Sequence, residues 1–311
     1  MRIINCILTA LIALMLFTSC EQEYTPPKSP DGPKYVVEGY IEAGENPFPP
    51  YVILTRTFDF YGTLNPAQFT GSFIHGADVS IKDGDLEVVL QEICLSDLSP
   101  ELRKEVAAQF GFNPDSLAID YCVYLDVLGQ LQPQQEKSYD LRIVTENQVI
   151  TATTYIPKHV PLENIHFEAP PGSPNDSLAQ LRCSISDPPG VRNFYKYFGA
   201  TNGGPLRTSF SSVVEDLFFD GKTFEFQLFN PKTTESNVDP DKFGLYFVGD
   251  SMTIKWCNMD EAHFDFWNTL EFSNANQGPF SSYTRLQSNI HGGLGIWGGY
   301  SVSYYTRKVA Y

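Results

Sequence analysis

The chain has 311 residues, with 37 Asp and Glu against 21 Lys and Arg and a formal charge of −16. That length exceeds one small domain, and 42% hydrophobic content is enough for two buried cores. The negative charge excludes a phosphate-backbone partner, whose affinity comes from Lys and Arg displacing counterions. A 14% aromatic and 19% charged composition with 23 Gly and 22 Pro reads as an all-β chain with many turns.

Residues 1–19 read as a secretory signal peptide: Arg2 precedes the apolar run Cys6 to Phe17, and small residues follow it. The run is shorter than the ~20 apolar residues that span a bilayer. Phe17-Thr18-Ser19-Cys20 resembles the bacterial lipobox, which makes Cys20 the predicted lipid-attachment residue. Residues 20–33 are polar and proline-rich, so they are expected to form an extended tether. Acidic residues directly after Cys20 resemble the export signal of Bacteroidota surface lipoproteins. The expected location is therefore the outer membrane, lipid-anchored and facing outward.

Residues 34–157 read as an Ig-like β-sandwich of about seven short strands, with a helical insertion at 99–111. Tyr139, Leu141 and Ile143 alternate with Asp140 and Arg142, which marks a half-buried strand, and Asp83-Gly84 marks a hairpin. Ser99-Pro100-Glu101 supplies the start of the inserted helix. Cys94 and Cys122 bracket this insertion, and an oxidising compartment favours a disulfide between them, with two buried thiols as the alternative. Pro157 to Pro161 reads as a domain boundary. Residues 158–311 form a second β-rich domain, with a helix at 258–272 started by Asn258 and Glu261. The expected fold is thus mainly all-β, two antiparallel β-sandwich domains with two short helical insertions.

Chemical motifs are mostly imitations. Gly293-Leu294-Gly295-Ile296-Trp297-Gly298 matches a dinucleotide fingerprint but has no helix after it and no acidic residue about 20 positions on, so it reads as turn glycines. Five histidines form no metal-binding pair, and His263 reads as a packed or capping side chain. Asp216 and Asp220, with Asp239 and Asp241, are weighed as a calcium site and read as solvated turn acids. No catalytic residue, metal or cofactor is expected. The aromatic loop carrying Phe58, Phe60, Tyr61, Phe69 and Phe73 is the candidate surface for a ligand or partner, with folding back on the core as its plainer reading.

Several segments resemble one family: Tyr35-Val36-Val37-Glu38-Gly39, Val79-Ser80-Ile81, Tyr139-Asp140-Leu141, Asp187-Pro188-Pro189-Gly190 with Asn193-Phe194-Tyr195, Phe219-Asp220-Gly221-Lys222, Gly278-Pro279-Phe280-Ser281, and Ser288 to Gly295. Together they are similar to an uncharacterised family of Bacteroidota outer-membrane lipoproteins, carried as a domain of unknown function and found beside TonB-dependent receptors. The resemblance implies a non-enzymatic accessory to such a receptor, capturing ligand or docking on it, with the ligand unspecified. A secreted hydrolase using loop carboxylates, or a structural envelope lipoprotein, is the alternative.

Overall fold

A computed structural model describes residues 32–58, 66–109, 119–172, 176–209, 212–233, 239–275 and 285–310. The signal peptide, Cys20 and nearly all of the tether lie outside these residues, as do Phe60, Tyr61 and the Gly278 to Ser281 segment.

The N-terminal half contributes β1 (Tyr35–Gly44), β2 (Tyr51–Arg56), the short helix α1 (Pro66–Thr70), β3 (Asp78–Asp83), β4 (Leu86–Val89), β5 (Gln91–Cys94), helix α2 (Pro100–Gln109), β6 (Cys122–Leu125), β7 (Lys137–Val144) and β8 (Val149–Ile156). The C-terminal half adds β9 (Leu162–Glu168), β10 (Leu178–Ser186), β11 (Phe194–Thr201), β12 (Val213–Glu215), β13 (Thr223–Leu228), β14 (Tyr246–Phe247), β15 (Ser251–Met259), helix α3 (Glu261–Ala275) and β16 (Leu294–Lys308). The protein is all-β in its main body.

One eight-stranded sheet, ordered β12-β11-β15-β16-β1-β2-β6-β5, runs through both halves. Its strands pair antiparallel except where β16 lies parallel to β1. Two four-stranded sheets pack on one face of it. β4-β3-β7-β8 encloses a core with Val37, Val52, Ile81, Leu141 and Trp297, while β9, β10, β13 and β14 enclose a second with Leu181, Tyr195, Ile254 and Trp256. The expected alternation is visible in β7, where Tyr139, Leu141 and Ile143 are buried and their neighbours are not. The boundary read at Pro157 falls between β8 and β9, so each small sheet belongs to one side of it, whereas the long sheet takes strands from both.

Helix α3 covers the opposite face of the long sheet over a third apolar cluster that includes Tyr40, Phe194, Cys257, Met259, Phe264 and Tyr300. It begins at Glu261 rather than 258, because Asn258 belongs to β15 and its side chain accepts from the Val160 N–H. Asp260 is the cap: its carboxylate accepts from the His263 N–H at 2.9 Å and from Tyr155 N–H of β8 at 2.8 Å. The inserted helix runs over Pro100–Gln109, inside the expected 99–111, and the Ser99 hydroxyl accepts from the Leu102 N–H as a cap. Helix α1 lies within the aromatic segment, where the sequence predicts only loop.

The glycine fingerprint forms the start of β16. Gly295 has φ +105°, and a Cβ there would lie 1.9 Å from the Val37 carbonyl oxygen, so the parallel pairing with β1 requires glycine.

Candidate functional site

Strands β2 and β6 are apolar on both faces, and β5 adds Ile93 to their outer face. Val52 and Leu54 point into the core, so Ile53 points away from it, and Ile93, Val123 and Leu125 share that outer face. A sheet face of this kind needs a cover, and helix α2 supplies it. Between helix and sheet remains a cavity of about 500 Å3, lined by those four residues together with Leu95, Leu98, Leu102 and Val106. Phe48, Tyr121 and Tyr304 close its sides, and Asn46 supplies the amide on its wall. Its size and apolar lining with few polar groups are those of small-molecule sites.

The cover is fastened at several points. Cys94 and Cys122 face each other across β5 and β6 and form a disulfide, with their Cα atoms 4.0 Å apart. Arg103 on α2 donates to the Leu95 carbonyl at 2.8 Å and to the Ser96 carbonyl at 3.2 Å. Ser96 in turn donates to Asp120 through its N–H at 2.9 Å and its hydroxyl at 2.6 Å.

The aromatic candidates gather beside this cavity. Phe69, Phe73 and Tyr121 meet with ring centroids 5.5 to 5.9 Å apart, and Phe58 reaches Phe69 at 6.4 Å. Phe73 is buried and Phe58 is 43% exposed. Tyr121 belongs both to this cluster and to the cavity wall, so the loop and the cavity are neighbours.

Two buried ionic clusters on the face of the long sheet that α3 covers escaped the sequence reading. Lys196 is buried; its Nζ donates to the Ser212 hydroxyl at 2.6 Å, stands 3.7 Å from Glu271 and lies over the Trp267 ring at 3.8 Å. Burial brings the lysine pKa down to about 8, against the opposing pull of Glu271. Lys255 forms a buried ion pair with Glu42. The signal was present in the sequence, since a lone cation inside the apolar runs Phe194 to Ala200 and Met252 to Cys257 must find a partner. His263 is fully buried against Tyr300, and burial, then the Lys196 charge, pushes its pKa down to about 3.

The acids weighed for calcium separate. Asp239 caps its own turn, accepting from the Asp241 N–H at 3.2 Å and pairing with Lys242 at 3.1 Å. Asp216 and Asp220 instead join Asp187, with ligand-type atoms of all three within 4.8 Å of one another. Each carboxylate is already used: Asp187 accepts from the Tyr195 hydroxyl at 2.5 Å and the Gly221 N–H at 3.2 Å, Asp216 from the Asn193 N–H at 2.7 Å, and Asp220 from the Gly190 N–H at 2.8 Å. They fasten three loops together.

Among the described residues no helix is long and apolar enough to cross a membrane. The family described as Domain of unknown function (DUF4249) matches residues 21–306. No curated protein and no solved structure matches the chain.

Proposed function

The chain belongs to this family of unknown function, and from that premise we propose that it is a lipid-anchored protein of the outer-membrane surface, a non-enzymatic accessory that captures a small apolar ligand for a TonB-dependent transporter. The observation that carries the reading is the apolar cavity of about 500 Å3 beneath α2, between the apolar outer face of β2, β5 and β6 and a fastened helix. A ligand that covers this apolar lining removes it from water, a gain of roughly 25 cal/mol for each Å2 covered.

The address comes from residues 1–33, where a leader, a lipobox-like Cys20 and a proline-rich tether follow one another. The Cys94–Cys122 bridge fits an oxidising compartment. The transporter is inferred from the family resemblance alone, so it is an association rather than a contact. A tagged chain expressed in its native host and labelled with palmitate tests the reading. The expected result is palmitate on the wild type, none on Cys20→Ala, and a TonB-dependent transporter co-purifying from detergent-solubilised outer membranes. Unlabelled wild type, or capture without any transporter, contradicts it.

A further inference from the structure

Among the described residues, two sheet edges of the C-terminal half lie unpaired beside each other. Among the described residues β13 pairs only with β10, and β12 is the last strand of the long sheet. Between them lies a cleft of about 420 Å3 lined by Tyr195, Phe219, Phe224, Phe226 and Trp256. These rings form a continuous aromatic surface: Tyr195 stacks on Trp256 at 5.2 Å, Phe219 on Phe224 at 5.2 Å and Phe224 on Phe226 at 6.1 Å. A closed sandwich would bury all of it. Here Phe224 is 45% exposed, and Phe218 on the turn after β12 is 86% exposed.

Edge strands are normally protected from further pairing by lysine, proline or a bulge. The segment Thr223–Leu228 has neither residue, and its single charge, Glu225, is tied to Arg182 at 2.8 Å. At the Thr223 end, Asp187, Asp216 and Asp220 outnumber the adjacent Lys222 and leave a negative field. An added strand therefore finds backbone partners along β13, an aromatic cleft for every second side chain and a place for one cation.

We propose that the β13 edge and its aromatic cleft dock one extended segment of a partner protein, apolar at alternate positions and carrying a Lys or Arg at the end beside Thr223. Strand addition of this kind gains affinity from main-chain hydrogen bonds and specificity from alternate side-chain pockets. The site is separate from the cavity beneath α2 and holds whether or not that cavity captures a ligand.

Panning a displayed heptapeptide library against the immobilised full mature chain tests it. The expected enrichment is alternating apolar residues with a terminal Lys or Arg. A synthetic peptide of the enriched sequence should slow amide exchange across 223–228. Its affinity should fall tenfold or more on Phe224→Lys, about the loss of one anchor side chain. Asp220→Asn, which retains an acceptor for the Gly190 N–H, should fold as wild type and lower the preference for the basic residue. Enriched peptides without alternation, unchanged exchange at 223–228, or wild-type binding by both variants would overturn the proposal. A dimer of the free chain that Phe224→Lys dissociates would also overturn it, in favour of a second copy as occupant.

Discussion

His263 makes stability depend on acid in a way that one substitution isolates. The Trp267 indole N–H donates to its Nε2 at 3.1 Å, so the ring proton belongs on Nδ1, which faces the Gly299 carbonyl at 3.4 Å. A second proton would set Nε2–H against the indole N–H, in a fully buried place also facing Lys196. The folded-state pKa is thus pushed down to about 3, while an unfolded imidazole titrates near 6.5. The sign follows: above about pH 6.5 both states are neutral and nothing is lost, and as pH falls the unfolded state alone takes up the proton. Near pH 4.5 the shift spans about two pH units at roughly 1.4 kcal/mol each, so it costs about 3 kcal/mol, or roughly 6–12 °C in Tm. His263→Gln keeps an acceptor for Trp267 and removes the titration. Glu38, Asp216, Asp260 and Asp265 have carboxyl pKa values raised by burial and act in the opposite direction, but they are common to both proteins. Differential scanning calorimetry from pH 7.5 to 4.5 should show wild type losing those degrees relative to His263→Gln. Parallel curves for the two proteins would refute the neutral, buried imidazole.

Glu42→Gln leaves Lys255 charged and buried without its carboxylate, and is expected to cost about 3–5 kcal/mol by denaturant unfolding, whereas the pair Glu42→Leu with Lys255→Met should recover most of that. Replacing Cys94 and Cys122 by Ala opens a loop with a sequence separation of 28, and chain entropy predicts a loss of about 3–4 kcal/mol, read as a lower denaturant midpoint. Gly295→Ala places a Cβ on the Val37 carbonyl at a left-handed φ, so a fall of several degrees in Tm, together with increased exchange along β1, is expected.

Alternation along single strands was legible in the sequence because it is local, and β7 shows it residue by residue. The cap of α2 at Ser99 was legible for the same reason. The sharing of one sheet by both halves was not. It rests on β16 pairing in parallel with β1, where partners such as Val36 and Leu294 lie 258 residues apart, and the proline run between β8 and β9 marks only a change of small sheet. The start of α3 was misplaced because Asn258 and Asp260 both carry capping side chains, and the choice was made by Val160, which claims Asn258. The cavity was hidden in β2 and β6, which are apolar on both faces. Such runs announce a covered outer face but not what covers it or how closely. Of the aromatic loop, Phe69 and Phe73 pack with Tyr121 beside that cavity, a neighbour supplied from about fifty residues away.

The central claim, a cavity that captures an apolar ligand, is tested most directly by native mass spectrometry of the protein purified from its own membranes. The prediction is one small apolar molecule bound per chain in the wild type, absent from Val123→Trp, whose added ring fills the space beside Ile53 and Leu102. An empty wild-type chain that also fails to bind Nile red, or equal occupancy of the filled variant, would contradict the account.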